Sequence, residues 1–275
     1  MRAARHRKDP VMIAGRLIDI SMPISARVIT DPPPMRPRIS YRAHTDGAHD
    51  IAAIFPGLLP KQLPDAEGWA VEDVTLTTHS GSHMDAPWHY HSTTDHAEAS
   101  GPRPSPTIDQ APLDLFMRPG VKLDFRHLPD GQVVSAADVE AELSRIGHAL
   151  APLDIVLVNT SAAAAYGDPD FHNRGCGMGR EATLYLTERG VQVVGTDAWS
   201  WDAPFSFTAA RFARDGDPAV IWEGHKAGRE RAYYQMEKLQ NLEALPPTGF
   251  TVICFPVKIE AASAGWVRAV AVLPQ

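Results

Sequence analysis

Short apolar runs bounded by turn residues alternate with stretches of helical period along this chain. Leu17-Ile18-Asp19-Ile20-Ser21 predicts a first strand, stopped by Pro23. Residues 70–78 alternate through Val74, Leu76 and Thr78, which predicts a strand running directly into His79. Val121-Lys122-Leu123-Asp124-Phe125 predicts another short strand. The clearest helix covers residues 135–147: Ser135 is an N-cap with Asp138 three residues on, Val139, Leu143 and Ile146 form a stripe, and Gly147 suits the C′ position. A buried strand, Asp154-Ile155-Val156-Leu157-Val158, follows and ends at Asn159-Thr160-Ser161. Residues 180–189 predict a helix closed by Gly190, and residues 191–195 the next strand. Ala232, Tyr233, Met236, Leu239 and Leu242 recur at roughly helical spacing and predict a helix. Residues 251–259 and 267–273 predict two long strands, neighbours in the sheet. Strands alternating with helices in this way predict an α/β fold with one mixed sheet.

Three stretches carry no such period. Successive proline rings in Asp31-Pro32-Pro33-Pro34-Met35-Arg36-Pro37 remove donors, so an extended surface segment is expected there. Residues 101–106 form a second proline-rich connection. Residues 40–64 look irregular and are punctuated by Pro56, Pro60 and Pro64; a lid or subunit contact would keep Ile51, Ile54, Phe55, Leu58 and Leu59 out of water.

With 275 residues, 44% of them hydrophobic, the chain can bury a real core, and one domain over residues 11–275 behind a flexible tail at 1–10 is the expected organisation. A net charge of -7 without a basic stripe argues against a nucleic-acid partner. No apolar run of about 18 residues exists to suggest a membrane span, and the basic start leads into no apolar leader, so a cytoplasmic location is expected. Cys176 and Cys254 read as unpaired thiols in a reducing compartment. The sequence contains no internal repeat.

Chemistry concentrates in Thr78-His79-Ser80-Gly81-Ser82-His83-Met84-Asp85-Ala86-Pro87-Trp88-His89, where three imidazoles and a carboxylate are spaced by four, two and four residues. As an extended strand, His79 and His83 would stand about 13 Å apart at ~3.3 Å per residue, too far for one ion. A helix is opposed by Ser80, Gly81 and Ser82, and Pro87 would break its next turn. A tight turn at Gly81, where positive φ costs little, lets His79, His83 and Asp85 converge as two nitrogens and one oxygen. That ligand set suits zinc or manganese. Chance crowding among 12 histidines is the plain alternative, but it leaves the glycine, proline and carboxylate placement unexplained. His89 is left over. Three protein ligands leave open metal positions, where a bound water can lose its proton near neutral pH and attack a carbonyl: this is hydrolytic chemistry.

Other candidates are weaker. Gly175-Cys176-Gly177-Met178-Gly179 lacks the Lys-Ser/Thr of a phosphate-binding loop and reads as a turn. Residues 195–205 leave a strand with Asp197 and Asp202 and with Trp199, Trp201 and Phe205. These aromatics, with Trp88, could wall a pocket for a flat ring, while Asp197 or Asp202 orients a histidine from behind.

His79-x-Gly81-x-His83-x-Asp85-x-Pro87-x-His89 resembles the H-x-G-T-H-x-D-x-P-x-H signature of the Putative cyclase family, whose best-known members are bacterial kynurenine formamidases and isatin hydrolases. Ser82 stands where threonine is usual, and Gly265-Trp266 where Ser-Pro is common. The resemblance implies a single mixed-sheet domain like the family's swivelling β/α/β barrel. It also implies a second metal position held by a His and a Glu twelve residues apart, an interval that His225 and Glu237 match. On one helix that interval spans about 18 Å, so the chain must break between them, with Gly228 the expected place. Asp85 would then bridge two ions and His89 would carry the proton to a leaving nitrogen. The implied cofactor is one or two zinc or manganese ions per chain. The implied activity is hydrolysis of an aromatic amide, most like an arylformamidase of the N-formylkynurenine type in tryptophan catabolism. Isatin hydrolase-like opening of a cyclic amide or lactone is the sister reading, and a metal-dependent binding protein without turnover is the reading from another class. A homodimer or larger homo-oligomer is expected.

Overall fold

In chain order, the strands of three or more residues are β1 (Arg16–Asp19), β2 (Arg38–Arg42), β3 (Val71–Thr75), β4 (His83–Asp85), β5 (Met117–Asp124), β6 (Ile155–Asn159), β7 (Val193–Thr196), β8 (Tyr234–Glu237), β9 (Phe250–Ile253), β10 (Ala264–Trp266) and β11 (Val270–Leu273). The helices are α1 (His44–Ile54), α2 (Pro87–Tyr90), α3 (Ala136–Ile146), α4 (Arg180–Thr187), α5 (Phe205–Asp215) and α6 (Glu223–Lys226). This computed structural model describes residues 15–274; the tail expected at residues 1–10 and the limits of the expected domain lie outside the described residues. None of the described helices is long and apolar enough to cross a membrane.

Nine strands share one sheet in the order β1-β11-β9-β5-β6-β7-β8-β4-β10. The central run β5 to β8 is parallel, and every other pair is antiparallel. Because the pleat alternates side chains, Ile155 and Leu157 of β6 enter one core while Val156 and Val158 enter another, against Val139 and Leu143 of α3 and Ala182 and Leu186 of α4. The first core also holds Ile18, Met84, Val252 and Ala271 from strands far apart in the order. Bridges from Ser21 to Leu239 and from Pro256 to Val267 join segments beyond the strand ends. The mixed sheet is thus curled into a half-barrel, as the α/β expectation and the resemblance required.

Local signals hold where the structure is local. Ser135 Oγ accepts from the Asp138 amide at 3.3 Å, Asp138 Oδ2 accepts from the Ser135 amide at 2.8 Å, and Gly147 closes α3 with φ 67°. The helix expected around residues 232–242 is instead strand β8, buried throughout. With apolar side chains demanded on one face and buried polar ones on the other, spacing alone did not separate the two periods. Residues 40–64 are not irregular: α1 forms there, its first turn closed by Asp46 Oδ2 accepting from the Ala43 amide at 2.9 Å. The strand expected at 70–78 ends at Thr75 and pairs only with β2, outside the large sheet. α5 was not signalled by the sequence pattern.

The proline-rich segment lies largely at the surface as expected, with a 3-10 turn at Pro33–Met35, but it is anchored at Asp31. Asp31 is buried and accepts from Trp199 Nε1 at 3.0 Å and from Thr30 Oγ1 at 3.1 Å, and it pairs with the Lys238 ammonium. Lys238, directly after β8, has left-handed backbone (φ 57°) and also donates to the His79 carbonyl at 2.8 Å. Removing one member of a buried pair leaves an uncompensated charge. Lys238→Met is therefore expected to cost about 3 kcal/mol in guanidinium unfolding, with much of that recovered in Lys238→Met/Asp31→Asn. A double variant no more stable than the single would refute the pairing.

At the end of β7, the Asp197 carboxyl accepts from the Thr160 amide at 2.9 Å, Thr160 Oγ1 at 2.7 Å and Asn159 Nδ2 at 2.6 Å, tying β7 to β6. Burial, only partly offset by these donors, pushes its pKa up to about 7 from an ordinary 3.8. Between those values the folded chain keeps a proton that the unfolded chain has lost, so this group's contribution to stability falls as pH rises from 3.8 to about 7 and is level above. Asp197→Asn should lose that component: unfolding midpoints between about pH 4 and 7 should decline less steeply than in the unsubstituted chain. Equal slopes would show that the carboxyl ionises normally.

Candidate active site

The Ser80-Gly81 turn, with Gly81 at φ 65°, brings the chain round into β4. There Met84 points into the inner core, so the pleat sends His83 and Asp85 to the opposite face. β8 is antiparallel to β4 and sets Gln235 against Asp85, Met236 against Met84 and Glu237 against His83. Four polar side chains from two strands thus meet on one face. Pro87 opens α2, which returns His89 to them: its ring centroid lies 4.1 Å from that of His79 and 5.7 Å from that of His225. His225 sits on α6, and a 3-10 turn at Ala227–Arg229, containing Gly228, separates it from β8. The break between His225 and Glu237 therefore falls at the expected place.

Asp85 is the centre of the cluster. Its Oδ1 lies 2.9 Å from His79 Nδ1 and 3.3 Å from His83 Nε2, and its Oδ2 lies 3.8 Å from His225 Nε2. Glu237 stands 3.6 Å from His83 Nε2 and 3.4 Å from His225 Nε2. Each histidine uses its other nitrogen elsewhere: His83 Nδ1 at the Gly81 carbonyl (2.9 Å), His79 Nε2 at Ser263 Oγ (3.1 Å) and His225 Nδ1 at Asp202 Oδ2 (2.5 Å). Such outer partners fix the tautomer and leave the inward nitrogen a lone pair. Though close to each other and to His79, His83 Nε2 and Asp85 Oδ1 are buried without a well-aligned hydrogen bond among the described residues. Buried polar atoms without partners are costly, and a divalent ion accepting two imidazole nitrogens and one carboxylate oxygen would satisfy them. The group His79, His83 and Asp85 fits such an ion, with donor atoms within 4.8 Å of one another; Asp85, His89 and His225 form a second such group.

The field of the cluster follows from the same contacts. Burial raises the Asp85 pKa, but the His83 and His89 charges override it and hold the carboxyl well below its usual range. Burial pulls His225 down, yet hydrogen bonds to Asp202 and Glu237 bring it to about 10. For His89 burial wins: helped by His79 and His225 and opposed by Asp85, it takes the ring down to about 4.

A cavity of about 210 Å³ opens onto these ligands, walled by Met35, His89, Trp199, Phe205 and Trp222. Larger cavities, of about 520, 500, 360 and 320 Å³, lie away from the histidines. Of the residues expected as pocket walls, Trp199 and Phe205 line this one. Trp88 does not: it is on α2 and 45% exposed. Trp201 is packed in the core, its indole N–H on Thr183 Oγ1 at 3.0 Å, and reaches the cluster only through its main-chain N–H, which donates to Glu237 Oε1 at 2.9 Å. Asp202 backs a histidine as expected, whereas Asp197 faces Thr160 and Asn159 instead. Sequence reading missed Trp222, stacked on His225 at 4.4 Å between centroids, and also Gln235 and Lys238. Reading residues 234–237 as a strand would have exposed Gln235, because it alternates with Glu237.

Residues 18–203 match the model of the family described as Putative cyclase. A kynurenine formamidase from Maricaulis maris (strain MCS10) is 28% identical over 204 residues, which cover 73% of this chain and 79% of that protein. Among solved structures, an isatin hydrolase bound to the product analogue thioisatinate superposes with a TM-score of 0.71 at 19% identity, covering 94% of this chain and 92% of that one. Isatin hydrolase A from Ralstonia solanacearum gives 0.70 at 22% identity over the same shares, 94% and 92%. The curled sheet is shared with these structures, and the matched region runs from β1 through the histidine loop to Asp202 and Ala203. This chain belongs to the Putative cyclase family.

Proposed function

We propose that the protein is a metal-dependent hydrolase that cleaves the carbonyl–nitrogen bond of a small aromatic amide, acting as an arylformamidase on an N-formyl aromatic amine of the N-formylkynurenine type. The observation that carries this reading is the pair of partnerless buried atoms, His83 Nε2 and Asp85 Oδ1, at the floor of an aromatic-walled cavity beside His89. His79, His83 and Asp85 would hold the ion. When bound, a zinc or manganese ion supplies a Lewis acid that acidifies water and steadies negative charge on the carbonyl oxygen.

The chain's own groups supply the rest. The Gly81 carbonyl fixes His83 and Ser263 fixes His79, so the ligands need little reorganisation. His89, neutral at working pH because burial takes its pKa down to about 4, is free to take a proton from the attacking water. Returning that proton to the departing nitrogen lets the carbon–nitrogen bond break to give a carboxylate and an amine. Trp199, Phe205 and Trp222 offer faces against which a flat ring can stack while water is excluded.

Opening of a cyclic amide, as the name isatin hydrolase describes, is the second reading, and one observation favours it. Lys238, the cation on the cavity wall, is already paired with Asp31, so the charged amino-acid end of N-formylkynurenine would find no free counter-charge there. An uncharged ring would lose nothing.

Hydrolysis of N-formylkynurenine and of isatin, followed side by side, separates the two. His89→Ala is expected to lower kcat on the true substrate by about 10²- to 10⁴-fold with the ion content unchanged. Chelation should abolish turnover, and added zinc or manganese should restore it. Turnover that survives both complete metal removal and His89→Ala would exclude the proposed chemistry.

A further inference from the structure

Gln235 lies opposite Asp85 in the antiparallel register, and the pleat turns its amide to the same face as Glu237. The amide nitrogen is 3.1 Å from Asp85 Oδ2, 2.9 Å from Glu237 Oε1 and 2.7 Å from His225 Nε2. Those three side chains are the ones that the sequence offers to a second ion. The direction of the amide is set by the carboxylates: the two oxygens nearest its nitrogen, on Asp85 and Glu237, accept. The nitrogen must therefore face the carboxylates. An amide NH₂ group donates two hydrogen bonds and has no lone pair to give to a metal. His225 Nδ1 is held on Asp202, and its inward Nε2 lies 2.7 Å from that amide and 3.4 Å from Glu237 Oε1.

The two halves of the cluster thus differ in kind. Around His79 and His83, buried donor atoms are left without partners. Around His225 and Glu237, one amide nitrogen lies within 3.1 Å of all three side chains, its two hydrogens turned to the Asp85 and Glu237 carboxylates. A cation placed among Asp85 Oδ2, His225 Nε2 and Glu237 Oε1 would have to displace it.

We propose that Gln235 takes the place of a second cation: the chain holds a single divalent ion at His79, His83 and Asp85, and Gln235, as a positioning residue, locks Asp85 and Glu237 by hydrogen bonds beside His225. The inference rests on the metal-dependent reading above but not on the identity of the substrate. It replaces the expectation that His225 and Glu237 are metal ligands with a role in which they orient Asp85 and shape the cavity floor.

The test is ion content per chain by mass spectrometry, on protein purified without chelator and equilibrated with excess zinc or manganese before desalting. One ion per chain is expected, falling to none in His83→Ala and unchanged in Glu237→Gln. Gln235→Glu exchanges the amide for a third carboxylate of the same size, and Gln235→Ala removes it; each should raise the content about twofold in protein whose near-ultraviolet circular dichroism is native. Two ions in the unsubstituted chain, or one ion left in His83→Ala, overturns the inference. So does a count that stays at one in both folded Gln235 variants. If both variants fail to fold, the unsubstituted, His83→Ala and Glu237→Gln counts decide alone. One ion without hydrolysis of any aromatic amide upholds the inference and overturns the function proposed above; no ion at all overturns both.

Discussion

The arrangement depends on the antiparallel register between β4 and β8. That register sets Asp85 opposite Gln235 and His83 opposite Glu237, while Met84 and Met236 between them enter the inner core. A slip by one residue would send every polar group into the apolar side and both methionines to the face that carries the chemistry. Burial of the methionines and convergence of the ligands are therefore one event. The curled sheet exists to hold that pair of strands between the parallel centre and the edge strand β10.

Putting so many ionisable groups in a dry place creates a second constraint, since each must find a partner. Asp202 is satisfied by the Gly224 and His225 amides at 2.7 and 3.0 Å and by the His225 ring. Glu237 takes the main-chain N–H of Trp201, and Lys238 takes Asp31 and the His79 carbonyl. These contacts draw the proline-rich segment, the histidine turn, the aromatic stretch after β7 and the end of β8 onto one body. What remains unsatisfied, His83 Nε2 and Asp85 Oδ1, marks where an ion would fit. Function appears where the hydrogen-bond accounting fails to close.

The aromatic wall has a related origin. Trp222 has left-handed backbone at φ 61°, a conformation that costs a non-glycine residue about 1 to 2 kcal/mol. That bend lets its ring stack on His225 and meet His89 edge-on at 5.1 Å between centroids. Trp199 is held in turn by its N–H on Asp31 and by the Lys238 ammonium 5.3 Å from its ring centroid. Each wall is thus fixed by the same polar network that positions the candidate ligands.

The sequence by itself determined what depends on neighbours along the chain. The caps of α3, the turn at Gly81, the strand–helix alternation and the ligand spacing from His79 to Asp85 all rest on interactions within a few residues, and they were legible. So was the need for a break near Gly228, because helix rise is a fixed length. Tertiary structure decided the rest. Whether residues 234–237 would be strand or helix turned on β7 and β4 lying on either side to complete their hydrogen bonds. Trp201 went to the core and Trp199 to the cavity although they are two residues apart, since which face meets α4 is fixed only when the layers pack. Asp31 and Lys238 are 207 residues apart, and no local rule couples them. Beyond its alternation with Glu237, Gln235 carries no local signal, because its surroundings are groups from β4 and α6 that only folding brings within 3.1 Å of its amide nitrogen.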